Sequence, residues 1–180
     1  MDDLAQCTAE ALPAVVVRDR VSSASLTASR QEWDRLRARM VFEQEELDWE
    51  VYRSYGLVDE DLTNPGGQID RIVLGQRSFE IALARQVANG TEETAWFARH
   101  GSVPITDLPA DWPAEYVALV QRRLDVIASD PFIGLLERPE FKRRWAVPTW
   151  EQMEEAALRD FVLDALERPE LWADASGPGV

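Results

Sequence analysis

Glu140-Phe141-Lys142 sets a carboxylate two residues before an amine. Restriction-type nucleases use that spacing to hold Mg²⁺ and steady the attacked phosphate. The chemistry needs the motif on a strand, with another acid upstream. Here it follows Pro139 in a segment that reads as helix, so a solvated helix face is expected instead. Asn64-Pro65-Gly66-Gly67 approaches the Asn/Asp-Pro-Pro-aromatic loop that grips a flipped adenine, but it lacks the second proline and the aromatic. It reads as a turn. Asp130-Pro131-Phe132 is also one proline short. No glycine-rich strand-to-helix loop is present for S-adenosylmethionine, nor the series of strands its binding sheet requires. Cys7 and His100 are the only cysteine and histidine, which excludes an internal disulfide and leaves little for zinc, iron or a Cys-His nucleophile. His100 before Gly101 reads as a cation-capable residue at a helix C-terminus. The sequence therefore assigns no catalytic residue, no metal ligand and no cofactor.

The densest positive patch is Lys142-Arg143-Arg144, between Phe141 and Trp145, to which Arg122 and Arg123 add if the helices pack together. As a contact cluster, these seven residues would touch phosphates or a protein partner, with the aromatics stacking or anchoring. The alternative has Phe141 and Trp145 facing the core while the cations offset Glu137 and Glu140. The acidic run Glu43, Glu45, Glu46, Asp48, Glu50 reads mostly as a solvated helix face, with a DNA-mimic reading beside it.

The elements that must position these groups are mainly helices. Ser29-Arg30-Gln31-Glu32 matches a capping box and predicts a long helix to about Tyr55, with an apolar stripe of Trp33, Leu36, Met40, Leu47, Val51 and Tyr55. Gly56 suits its stop. Further helices are predicted over 76–88, from Thr91 through Phe97, from Pro113 at the first helical position to Ser129, and from Pro139 through Trp145. A last helix follows the second capping box, Thr149 to Gln152, with Trp150, Met153, Ala157, Phe161 and Ala165 on one side. Leu136-Glu137-Arg138-Pro139-Glu140 recurs as residues 166–170, which predicts one helix-to-helix corner used twice. Residues 1–28 read as a loosely ordered arm or linker, Val15–Val17 as a short strand or extended segment, 29–172 as one helical domain and 173–180 as a flexible tail.

Composition bounds the function. The net charge is −14, from 19 Lys and Arg against 33 Asp and Glu. An acidic chain is repelled by DNA unless it segregates a basic face. Seven tryptophans each need a core or an interface. No apolar run approaches the roughly 20 residues that span a bilayer. Asp2 and Asp3 stand where a signal peptide would carry Lys or Arg, so a cytoplasmic location is the expectation.

Glu45-Glu46-Leu47-Asp48-Trp49-Glu50-Val51-Tyr52 with Tyr55-Gly56-Leu57 resembles the region after the catalytic core of BREX/Pgl-type adenine-specific DNA methyltransferases. Pro104–Pro109, Trp112–Tyr116, Leu136–Trp145 and Ala157–Asp164 are similar to the C-terminal part of the PglX-type members, so the resemblance covers roughly residues 30–170. The run Leu136–Trp145 is its most specific piece. That family methylates adenine N6 with S-adenosylmethionine inside multi-protein phage-resistance systems, and its methyltransferase motifs lie outside this chain. The resemblance implies a non-catalytic accessory domain that docks on the catalytic domain or a defence partner and helps position DNA. An autonomous DNA-binding module and an acidic DNA mimic stand as alternatives. The expected fold is mainly α, a multi-helix domain with room for one or two short strands.

Overall fold

The computed structural model describes residues 2–19, 21–66, 69–145 and 147–170. Eight α-helices are found among them: α1 (Asp2–Glu10), α2 (Pro13–Asp19), α3 (Ser23–Ser54), α4 (Ser78–Ala88), α5 (Trp96–His100), α6 (Ala114–Ser129), α7 (Pro131–Leu136) and α8 (Trp150–Leu166). The described residues contain no strand, and the mainly α expectation holds. The described part of segment 1–28, expected to be loosely ordered, carries α1, α2 and the start of α3, and Val15–Val17 lie in α2. The predicted tail, 173–180, lies outside the described residues.

Two compact units emerge among the described residues: Arg37–Val147, and Asp2–Leu36 with residues 148–170. In the smaller unit, α2 packs on α8. Val17, Leu26 and Ala157 form one apolar cluster; Ala11, Trp33 and Trp150 form another, with the two indoles 5.8 Å apart. Helix α8 opens with the predicted box. Thr149 Oγ1 accepts from Gln152 N, and Gln152 Oε1 accepts from Thr149 N.

The other predicted box does not form. Helix α3 begins seven residues earlier, where Ser22 and Ser25 cap one another: Ser25 N donates to Ser22 Oγ and Ser22 N donates to Ser25 Oγ. A serine pair thus does the work of the usual hydroxyl and Glu/Gln. Ser29 sits inside the helix and donates its hydroxyl proton to Ala11 O, 2.7 Å away, while Glu32 pairs with Arg35.

In the larger unit, α6 packs against α4 and α7. Its cluster of Phe79, Leu83, Ala84, Trp96 and Phe97 is shared by α4 and α5. Pro113 is the N-cap of α6, with ψ at 140°, and not its first helical residue. Asp130 ends α6 and starts α7, a helix the sequence reading missed; its carboxylate accepts from Phe132 N and Ile133 N. Pro139 opens only a 3-10 turn, Pro139–Phe141, after which Lys142 is extended. The recurrent pentapeptides end alike, since Glu137 and Glu167 cap α7 and α8 with nearly equal angles. Gly75 has φ +97°, and a Cβ there would meet Val103 O at 2.3 Å, so this close backbone crossing admits only glycine. All six described tryptophans are buried; Trp172 lies outside the described residues.

Candidate functional site

The face that α3 turns inward in the larger unit is Val41, Glu45, Trp49 and Tyr52, at intervals of four, four and three. The predicted stripe holds for Trp33, Leu36 and Met40, but Leu47, Val51 and Tyr55 are exposed. A carboxylate inside the core face hides that face from a reading based on apolar spacing.

The predicted solvated run is corrected with it. Glu45 is 1% exposed. Its Oε1 accepts from Ser78 N (3.0 Å) and Trp49 Nε1 (3.2 Å) and lies 3.5 Å from Arg123 Nη1. Arg123 is also fully buried and lies over the Trp49 ring. Its Nη2 donates to both oxygens of Glu46 at 2.9 Å, while Nε and Nη2 donate to Leu62 O. Glu46 Oε2 also accepts from Asn64 N. Asn64 Oδ1 accepts from Gly66 N and its Nδ2 donates to Ile69 O, so the side chain ties this loop together, with Gly67 outside the described residues, and Arg123 fastens it to α3.

A second cation lies among the next carboxylates. Lys142 Nζ bonds to Glu137 Oε1, to Asp48 Oδ2 (2.9 Å) and to the Tyr52 hydroxyl (3.0 Å), which itself donates to Glu137 Oε1 (2.7 Å). A third buried pair, Arg77 with Glu80, is bidentate at 2.9 and 3.0 Å. Glu80 also accepts from Gly75 N and Trp96 Nε1, and Arg77 donates to Arg143 O.

Four carboxylates, Glu45, Glu46, Asp48 and Glu137, thus face two cations, Arg123 and Lys142. The imbalance shows in their proton affinities. Burial pushes the Glu45 carboxyl up, but Arg123, Lys142 and the Ser78 bonds outweigh it and hold it below the usual range. Burial wins at Glu46 and at Glu137, and both are raised. At Lys142, burial opposes the charge, yet Glu137 and Asp48 overcome it and raise the ammonium further. Burial and the neighbouring Glu137 likewise raise the Tyr52 hydroxyl. These groups are locked on one another, and Glu45 Oε2 and Glu137 Oε2 have no hydrogen-bond partner.

The seven predicted contact residues do not share a surface. Arg123, Lys142 and Trp145 are buried; Arg122, Phe141, Arg143 and Arg144 are exposed. Arg122 pairs with Glu60 at 2.8 Å, and Arg143 lies over the Trp145 ring. Extended backbone from Lys142 turns successive side chains to opposite sides, which separates Lys142 from Phe141 and Arg143. Glu140 is exposed and pairs with Arg138, so Glu140 and Lys142 do not converge as a Mg²⁺ and phosphate site would require. Among the described residues, no group of three His, Cys, Asp or Glu side chains could hold a metal ion. No described helix is long and apolar enough to cross a membrane.

Beside this network lies a cavity of ≈ 550 Å³ that sequence reasoning missed. Arg99, His100, Glu137 and Arg144 line it, with Phe79 and Trp96. His100 is buried and stacks on Trp96 at 3.9 Å between ring centroids. Its Nδ1 lies 2.8 Å from Trp96 O, and because a carbonyl only accepts, Nδ1 carries the proton. Nε2 has no partner. His100 closes α5 beside its C-cap Gly101, at a helix C-terminus as read, and its ring is buried against Trp96. The Trp96-to-His100 spacing of four was the available signal.

Residues 40–179 match a family described as a domain of unknown function, DUF7008, and the chain belongs to it. The chain is also similar to the adenine-specific methyltransferase PglX of Streptomyces coelicolor, at 47% identity over 182 residues, which cover 98% of this chain and 15% of that protein. The resemblance read from Leu136–Trp145 and its companion segments is borne out. The chain spans only 15% of the length of the relative it matches. No solved structure matches it.

Proposed function

We propose that this chain is a non-catalytic accessory domain of a PglX-type adenine-N6 DNA methyltransferase in bacterial phage defence, acting in the cytoplasm. It docks on the catalytic domain or on another defence protein. One observation carries the reading: nearly the whole chain is similar to a small part of a methyltransferase, at 47% identity. The buried charges support a scaffold, because their bonds join α3 to the loop at Asn64, to α6 and to the segment after α7. The test mixes the full 180-residue chain with a PglX-type methyltransferase from which the matching region has been deleted. Co-elution at micromolar concentration and recovered adenine methylation are expected. Absence of association at that concentration overturns the reading.

A second reading adds DNA contact. Arg99 and Arg144 line one cavity, and among the described residues neither has an ion-pair partner. With Arg143 and Phe141 they would hold phosphates while the catalytic part acts. Arg143→Ala/Arg144→Ala would then weaken DNA binding by the assembled methyltransferase and make its salt dependence shallower. Unchanged binding and slope would remove this reading. The DNA-mimic alternative loses support, since Glu45, Glu46 and Asp48 are spent on Arg123 and Lys142.

A further inference from the structure

The C-terminal half of α3 is apolar on two opposite faces. Glu45 and Trp49 are fully buried in the larger unit, while Leu47 and Val51 each follow two residues later, a rotation of roughly 200°. Leu47, Val51 and Tyr55 form an outer stripe at successive intervals of four, with Tyr55 79% exposed. Gly56, at φ +66°, ends the helix, and Leu57 follows, also exposed. Scattered exposed apolar residues need no explanation, but a regular stripe does.

Most of the carboxylates on its flanks are held by partners. Glu43 pairs with Arg39, Glu50 with Arg53, and Gln44 donates to Asp48. The carboxylates that would ordinarily solvate such a helix are turned inward to Arg123 and Lys142. An apolar stripe whose surrounding carboxylates outnumber the cations suits a protein surface and repels phosphates.

We propose that Leu47, Val51, Tyr55 and Leu57 form the surface by which this domain seats on the catalytic part of a PglX-type methyltransferase. The inference rests on the docking reading above and names its surface. The occupant is argued from length: the chain corresponds to 15% of its relative, so most of the relative's length is available as a partner, and the stripe lies within the family-matched span 40–179. The partner's complementary patch is an apolar groove.

The test uses the full chain with Leu47→Glu/Val51→Glu and, separately, Tyr55→Glu, against the truncated methyltransferase. Val162→Glu/Leu163→Glu, on an exposed part of α8, is the control. All these positions are exposed, so thermal melts should stay near wild type; a variant that melts early is replaced by Leu47→Gln/Val51→Gln. At least a tenfold loss of affinity in the α3 variants, with the α8 control binding like wild type, is expected. Wild-type binding by the α3 variants overturns the inference while leaving the docking reading standing. No binding by wild type overturns both. Self-association of the wild-type chain that the α3 variants abolish, with methyltransferase binding unchanged, assigns the stripe to a second copy and also overturns it.

Discussion

Arg123 serves two carboxylates and one carbonyl at once, and none of the three is near it in sequence. Glu46 is 77 residues away and Leu62 is 61. Replacing it with methionine keeps much of the volume but leaves Glu45 buried without its nearest cation. Breaking a buried pair in this way costs about 3–5 kcal/mol. We expect urea denaturation of Arg123→Met to give a loss of that size, and Arg123→Met/Glu45→Gln/Glu46→Gln to recover part of it. A loss under 1 kcal/mol would mean that the network contributes little. The same distances explain what the sequence hid. Lys142 looked like part of a basic patch because Arg143 and Arg144 follow it; its pairing with Glu137, five residues back, was within reach of the alternative reading, but Asp48, its other partner, stands 94 residues away. A local reading sees charge runs, whereas a long-range ion pair exists only after folding. Arg143 and Arg144 kept their expected exposure, and among the described residues no carboxylate pairs with them.

Helix boundaries were legible where a local signal met no competitor. The box at Thr149 formed because its hydroxyl had no other use, and α4 ends at Ala88 as read, whereas the helix expected from Thr91 starts only at Trp96 and runs to His100. The box at Ser29 failed because that hydroxyl serves Ala11 O, and α3 gained two turns from the serine pair upstream. Substituting the two candidate caps separates these accounts. Ser22→Ala removes the N-cap and should cost about 1 kcal/mol. Glu32→Ala removes only an exposed pair with Arg35 and should cost less than about 0.5 kcal/mol. Thermal melts of the two variants check this, and a larger loss at Glu32 would put the helix start at Ser29 after all.

For the molecule as a whole, the uneven charge count predicts an unusual response to acid. Glu46 and Glu137 have folded-state values above their unfolded ones, so the native chain binds more protons between those two values. Their contribution is full below the unfolded value and is lost as pH rises through the folded one. Glu45 has the opposite sign: its contribution is present above the unfolded value and is lost as pH falls through its lowered folded value. Stability should therefore rise as pH drops from neutral toward the ordinary carboxylate range, and fall only on further acidification. Denaturation midpoints from pH 7 downward test this, and Glu46→Gln/Glu137→Gln should flatten the rise. A steady decline from pH 7 would contradict it.

The chain has a single lysine, and folding encloses it. An amine-reactive ester should therefore spare Lys142 in the folded 180-residue chain and reach it only once the amine leaves its carboxylates. The mass of the labelled product becomes a direct count of molecules whose interior has opened, with no engineered probe.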